Sequence, residues 1–387
     1  MNRIRDILFT VVLSLVLFFL SYNAVNDFYD EKERKTIEDS KPTTQEIAEF
    51  KTLLDENTYY YYNQLDDVDK EVYVTLYSAL MSFDDSVILP TDEQTLNKLY
   101  TAVLYDNPHI FWVEHDYSYV INEFSIKFTP SYRYEEVEVQ TISNQIEDKI
   151  NEITDVADDF SSDYEKELYI HDYVCNNTVY DENVDGDSIY DVLINGKAVC
   201  EGYSKAVQIL LDALDIDNYL VVGESVFEGE LGPHMWNVVT IDGLNYHLDS
   251  TWNDSDEDNG IHYFYFNVTD EVISEDHFSL SPADNNCIFE IANYHTYNNL
   301  VFDSFNGFDE HINRSADTLK NGENEVVFVF RNTDDYKKAL SYIEKDNGFF
   351  RYVTESVRRS GRRIDTSEIS YITIDEHNYL CVIFKEG

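Results

Sequence analysis

The stretch GKAVCEGYSKAVQILLDAL, Gly196 to Leu214, and after a spacer GPHMWNVVTIDGLNYHLDSTW, Gly232 to Trp252, decide how this chain folds. In the first, Tyr203, Val207, Leu210, Leu211 and Leu214 recur at helical spacing, so Cys200 falls in the first turn of a helix that packs into a core. Unpaired backbone N–H groups and the positive end of the helix dipole stabilise a thiolate at that position. Gly196 and Gly202 permit close backbone approach around the sulfur. In the second stretch, Asp242-Gly243 between two alternating apolar runs is a hairpin signal. A two-residue turn there sets Trp236 opposite Asp249 and His234 opposite Thr251. Paired residues share a face, as do alternate residues along a strand. His234, Trp236 and Asp249 then project together, the His and Asp as diagonal neighbours about 7–8 Å apart at the backbone. A three-residue turn would put His234 and Asp249 on opposite faces, so the geometry hinges on the turn length.

Thiol, imidazole and carboxylate in this order form a nucleophilic site. Cys200 attacks, His234 holds the thiol proton and returns it to the leaving group, and Asp249 fixes the imidazole tautomer and steadies its charged form. The Cys200 backbone N–H is a natural oxyanion donor at a helix start. Tyr180, in NTVYD, and Trp236 are candidates for a second oxyanion or substrate contact. His247 shares the hairpin face with Asp249 and competes as the base, although packing accounts for such a histidine. His171 and Asp172 before Cys175 are accounted for by a helix face. The acidic run DSDEDNG at 254–260 has its Gly one position late for a calcium loop and no Glu at the twelfth position, so it reads as a solvated turn. No zinc-ligand spacing occurs, and no metal is expected.

GKAVCEGYSKA, PHMWNVV and YHLDSTW together resemble the transglutaminase-like superfamily, in the bacterial form related to cysteine peptidases. YIHDYVCNNTVYD and YFYFNVTDE resemble flanking pieces of that subgroup, and DNPHIFWV its amino-terminal extension. The resemblance is specific from about Ser161 to His277, weaker over about 45–160 and absent from 290 onward. It implies a papain-like α+β core, no cofactor, and Cys200, His234 and Asp249 as nucleophile, base and orienting acid.

Composition bounds the partners. The 387 residues carry 76 acidic side chains against 27 basic ones, a formal charge of −49. Such a field repels nucleic acid and favours cationic partners or divalent ions. The run ILFTVVLSLVLFFL, Ile7 to Leu20, follows Arg3 and Arg5 and, extended through Val25, approaches the roughly 20 residues that cross a bilayer. Cleavage after Ala24 would put Tyr22 where a small residue is required, so residues 1–25 read as an uncleaved anchor with the rest of the chain outside the cytoplasm, at a bacterial cell surface. Lys32, Arg34 and Lys35 beyond the span weaken the charge asymmetry that would set its orientation. The four cysteines, Cys175, Cys200, Cys287 and Cys381, match neither a CxxC pair nor a dense disulfide framework, and a bridge among the three outside the motif stays open.

Along the chain, 26–44 reads as a charged, solvated linker, 45–140 as an α+β region, 141–285 as the catalytic domain and 286–387 as a small α+β domain. Helices are expected over Val72–Met81, Glu93–Tyr105, Val137–Ile153 and Tyr164–Val174. The tyrosines at 59–62 are expected to straddle a helix end. EVVFVFRN, ISYITID and YLCVIF are the strands of the tail, with a helix over Asp334–Ile343. The expected activity is thioester acyl transfer or amide hydrolysis on a protein or peptide, with cell-wall peptide as one envelope substrate. The alternative is a cell-surface binding or assembly module on the same fold.

Overall fold

A computed structural model describes residues 31–38, 50, 52, 59–227, 229–254, 261–280, 286–306, 308–320, 325–345, 347–359, 364–375 and 377–386. The apolar run Ile7–Leu20 and most of the acidic turn at 254–260 lie outside these. Among the described residues no helix is long and apolar enough to cross a membrane. The fold mixes helix and sheet, as expected for an α+β chain, and groups into two compact units.

The first unit contains the described chain up to Gly243 together with Asp249–Ile261 and Asp276–Asp284. Its amino-terminal part is helix α1 (Asp67–Met81), strand β1 (Val87–Leu89), helix α2 (Glu93–Asp106) and strands β2 (Val113–Ile121) and β3 (Ile126–Tyr132). The three strands form one antiparallel sheet in the order β1-β3-β2. Asp66 caps α1 by accepting from Val68 and Asp69 N–H, and Asp92 caps α2 by accepting from Thr95 N–H, so each helix starts where an acidic side chain satisfies its free donors. Tyr60–Asn63 is a single helical turn whose Tyr61 and Tyr62 N–H groups donate to the Asp106 carboxylate at the far end of α2. Tyr59 is buried and Tyr60 to Tyr62 are half-buried, the helix-end arrangement expected for this run. One element departs from expectation. Residues 31–38, read as solvated linker, are helical, and Glu33 accepts from Phe124 N–H and from Ser125 Oγ at 2.6 Å.

Helices α3 (Glu136–Ala157) and α4 (Asp163–Asn177) follow, with starts capped by Glu135 and Ser162, and each runs three or four residues further at its end than the periodicity alone marks out. Next comes α5 (Cys200–Asp212), which packs on strand β5 (Glu230–Ile241) and on β4 (Asn218–Phe227). Sequence periodicity marked one apolar face on α5, yet Ser204, Lys205 and Gln208 are buried as well. Their donor groups reach partners: Ser204 Oγ donates to Met235 O, Gln208 Nε2 to Tyr105 O, and Lys205 pairs with Glu201 at 2.7 Å. Strands β4 and β5 are antiparallel with Gly223 opposite His234, and the short strand His277–Ser279 runs antiparallel to β4 with His277 opposite Ser225.

The second unit comprises Leu244–Leu248, His262–Glu275 and Asn285–Gly387. It holds a four-stranded sheet in the order Val301–Phe302, Glu325–Phe330, Tyr379–Glu386, Ile364–Ile374, the first pair parallel and the rest antiparallel. The three long strands are the ones marked by alternation in the sequence. Helices Phe308–Lys320 and Asn347–Arg359 were not anticipated there. Phe349, Val353 and Val357 of the latter are fully buried with Phe328, Phe330 and Phe384 in the core of this unit.

Candidate active site

Cys200 is the first residue of α5, and the residue before it, Val199, is extended. Two glycines allow that entry. Gly196 adopts φ 68, a left-handed conformation that other residues reach only with strain. A Cβ on Gly202 would overlap the Gly186 carbonyl oxygen and come within 2.8 Å of Ala198 Cβ. Cys200 is half-buried, whereas Cys175, Cys287 and Cys381 are buried. No disulfide joins the four.

The helix is docked on the histidine strand through two polar contacts that cross between them. Ser204 Oγ donates to Met235 O at 2.9 Å, and Asn237 Nδ2 donates to Ser204 O at 3.0 Å. Both lie just after His234 on the strand and fix that part of it relative to the start of α5. Cys200 is near enough to His234 to favour the charged form of the imidazole. His234 Nε2 lies 2.6 Å from Asp249 Oδ2, which leaves Nδ1 for the thiol side.

The turn on which the sequence reading depended has two residues. Asp242 and Gly243 both have positive φ, 53 and 76, between β5 and Leu244–Leu248, the pairing that a tight hairpin turn of matching twist requires. The continuation differs from expectation. The strand ends at Leu248, and Asp249 caps a single helical turn, Ser250–Asn253, so Thr251 is helical and no strand pair His234–Thr251 forms. Capping adds rigidity: Asp249 Oδ1 accepts from Thr251 N–H at 2.9 Å and from Trp252 N–H at 3.1 Å, leaving Oδ2 aimed at the imidazole.

A residue that the sequence reading missed completes the cluster. His277 Nε2 lies 3.0 Å from the same Asp249 Oδ2, and its Nδ1 is 2.5 Å from Asp276 Oδ1. Asp249 is fully buried and its carboxylate contacts two imidazoles and two backbone donors. Burial alone would raise its pKa, but His234 and His277 hold it well below the usual carboxylate range. For His234 burial works against the charged form. The attraction and hydrogen bond of Asp249, with Cys200 adding, prevail and push it up to about 10. His277 is likewise opposed by burial and raised by its bonds to Asp249 and Asp276.

Aromatic rings enclose the imidazoles. Trp236, 1% exposed, stacks on His234 at 6.0 Å and 21° and meets His277 edge-on at 5.1 Å, so its ring is a wall behind the imidazole and not an open face. Its outer edge fills the space over Gly223, where a Cβ would come within 2.8 Å of Trp236 Cη2. Trp252 lies 5.7 Å from His234, 4.5 Å from His277 and 5.9 Å from the exposed Phe227. Tyr180 sits in a two-residue strand, Val179–Tyr180, parallel to Lys197–Ala198 just before the cysteine, with its ring 6.4 Å from Tyr203.

Two other constellations use histidines other than His234. His171, with Nδ1 2.9 Å from Asp172 and Nε2 3.7 Å from Cys175 Sγ, mimics a triad on α4. Cys175 is buried, which pushes its thiol up, and donates to Ser250 O at 3.3 Å. The competing base, His247, belongs to the second unit, where Nε2 pairs with Asp270 Oδ1 at 2.9 Å.

Beside Cys200, Glu201 is gripped by Lys205 and by His115 Nε2 at 2.9 Å, and burial notwithstanding these cations hold it down at about 2. Arg133, bridging Glu114 and Asp187, extends the network, so the amino-terminal region braces the start of the cysteine helix.

Comparison with known proteins follows this geometry. Residues 154–252 match the family model of the transglutaminase-like superfamily. No curated protein matches the sequence. Among solved structures, a TGase is 20% identical over 46% of this chain and 54% of its own, with a TM-score of 0.26. A provisionally assigned cysteine protease from Cytophaga hutchinsonii is 12% identical over 35% of this chain and 61% of its own, TM-score 0.24. A provisionally assigned protease from Parabacteroides distasonis is 11% identical over 35% of each chain, TM-score 0.23. The chain thus spans less than two thirds of each, and at these TM-scores the neighbours carry no weight here. On the family match, residues 154–252 are a transglutaminase-like superfamily domain.

Proposed function

We propose that this chain is a cysteine enzyme that transfers or hydrolyses an acyl group of a protein or peptide amide through a thioester on Cys200. The observation that carries the reading is His234 bound to Asp249 at 2.6 Å on one nitrogen, with the half-buried Cys200 thiol near enough to favour the charged imidazole. A histidine held protonated up to about 10 is poised as the acid of an imidazolium–thiolate pair. Cys200 Sγ attacks the amide carbon, and charge on the carbonyl oxygen is met by backbone N–H groups at the start of α5. Collapse of that intermediate breaks the C–N bond as His234 gives its proton to the leaving nitrogen, so ammonia or an amine departs and a thioester remains. Water or an amine then attacks the thioester. His234 takes the proton of the attacking group, and the thiolate is regenerated. Asp249 keeps the imidazole oriented and its charge compensated throughout.

The position we propose for this activity, anchored at a membrane through residues 1–25 with the site outside the cytoplasm, rests on the apolar run and its flanking arginines. A peptide of the cell envelope is the substrate that such a position would offer.

The test is a glutamine-bearing peptide offered with and without a primary amine, together with thiol labelling at neutral pH. Ammonia release alone identifies a hydrolase and amine incorporation a transferase. Fast labelling of Cys200 that is lost in His234→Ala supports the pair. A thiol no more reactive than free cysteine would sink the enzyme reading and favour the binding module.

A further inference from the structure

Outside the catalytic cluster, a second group of three dissimilar side chains meets in the second unit. His247, Asp270 and Cys287 each present one ligand atom, and these atoms lie within 4.8 Å of one another. They come from three separate segments: the strand Leu244–Leu248, the first residue of the helical turn Asp270–Ile273, and the chain just beyond 286. We infer that His247 Nε2, Asp270 Oδ1 and Cys287 Sγ form a binding site for a zinc ion, which pins these three segments together.

The donor set fits that ion. Imidazole, carboxylate and thiolate are the three ligand types that zinc accepts, at about 2.0–2.3 Å each. A thiolate and a carboxylate together neutralise a divalent charge, and the thiolate selects zinc over magnesium or calcium. His247 Nε2 and Asp270 Oδ1 are already 2.9 Å apart, sharing a proton that the metal would replace. Binding would also expel the Cys287 Sγ proton, and His247 would carry its remaining proton on Nδ1.

The supporting contacts orient the ligands. Asp270 Oδ2 accepts from Cys287 N–H at 3.0 Å, while Asp270 N–H donates to Cys287 O at 2.7 Å. That reciprocal pair fixes the cysteine against the carboxylate and leaves Oδ1 as the coordinating oxygen. His247 and Cys287 are buried, but the Asp270 side chain is 40% exposed, which gives an entry path and room for water as the fourth ligand. The other group of metal-ligating side chains, His234, Asp249 and His277, lacks this opening: Asp249 and His277 have no side-chain exposure, and every Asp249 oxygen already has partners. Residues spaced 23 and 17 apart show no short ligand motif, which is why the sequence alone pointed to no metal.

The experiment titrates Co²⁺, and Zn²⁺ in competition, into the full-length chain stripped with a chelator. The expected result is a single equivalent of Co²⁺ giving a thiolate-to-cobalt charge-transfer band, displaced by Zn²⁺. The band should persist in Cys200→Ser and vanish in Cys287→Ser, and Zn²⁺ should raise the melting temperature of the wild-type chain. No thiolate band in the wild type, a band that survives Cys287→Ser, or one lost in Cys200→Ser overturns the inference. Should Cys287→Ser not fold, Asp270→Asn and His247→Gln stand in. Each should weaken Zn²⁺ binding at least about tenfold, and wild-type affinity in both would equally overturn it.

Discussion

His277 Nε2 sits 3.0 Å from the Asp249 oxygen that bonds His234, so one buried carboxylate steadies two imidazoles. The two rings are 5.2 Å apart and come from the strands on either side of β4, where His234 is opposite Gly223 and His277 opposite Ser225, and the missing side chain of Gly223 makes room for the edge of Trp236 beside them. His277 bonds Asp249 on one ring nitrogen and Asp276 on the other. Its part is to hold Asp249, and through it His234, with Asp276 balancing its charge.

His277→Gln removes a charge-assisted hydrogen bond to Asp249, a contact class worth about 1.5–3 kcal/mol. Thiol labelling of Cys200 at neutral pH should slow by about tenfold to hundredfold. A packing role alone would alter the melting temperature but leave the labelling rate and its pH profile at their wild-type values. That outcome would remove His277 from the positioning chain.

Asp249 has two separable duties. Asp249→Asn keeps an oxygen for the Thr251 and Trp252 N–H groups but turns the remaining atom into a donor facing two imidazoles. Turnover should fall on the order of 10⁴-fold, as for a triad that loses its orienting carboxylate, with Cys200 labelling slowed in the same direction. Asp249→Ala also loses the cap and leaves two buried imidazoles without their acceptor, at a cost of about 3–5 kcal/mol. Melting curves should therefore rank wild type above Asn and Asn above Ala; equal stability of the two variants would contradict the capping role.

The start of α5 depends on backbone contact. Gly202→Ala places a methyl against the Gly186 carbonyl and Ala198 Cβ, and neither backbone segment can withdraw without moving Cys200. Overpacking of this kind costs about 1–3 kcal/mol. Both the melting temperature and the Cys200 labelling rate should drop together. A stability loss with unaltered labelling would separate Gly202 from the site.

What could be read in the sequence, and what could not, follows the range of each interaction. The cysteine helix and the turn at Asp242-Gly243 are local: one is set by spacing within α5, the other by two residues that tolerate positive φ. The meeting of His234 with Asp249 was foreseen on the right face, although Asp249 reaches it as a helix cap and not from a strand. His277 left no signal, because it is placed by a three-residue strand that pairs with β4 and stands 28 residues beyond Asp249. The helix Asn347–Arg359 was missed for a different reason. It starts at Asn347-Gly348, a pair that signals a turn, yet Phe349, Val353 and Val357 recur four apart on one buried face with Arg351, Arg358 and Arg359 off it, a helical stripe that was there to be read.

The ionic pair at the site also predicts how stability follows pH. His234 is held protonated up to about 10, against about 6.5 for an unfolded histidine. Its contribution is fully present below about pH 6.5 and is lost as the pH rises through about 10. Asp249 is shifted the other way: its contribution is present above about pH 3.9, its unfolded value, and is lost only as the pH falls toward its depressed folded value. The melting-temperature difference between wild type and His234→Gln should thus form a plateau between about pH 4 and 6.5 and shrink toward pH 10. His277 shifts in the same direction as His234, so a double variant, His234→Gln with His277→Gln, should lose the remaining alkaline dependence arising from this cluster. A difference that grows above pH 7 would mean that His234 is neutral in the folded chain, and the imidazolium–thiolate pair would have to be abandoned.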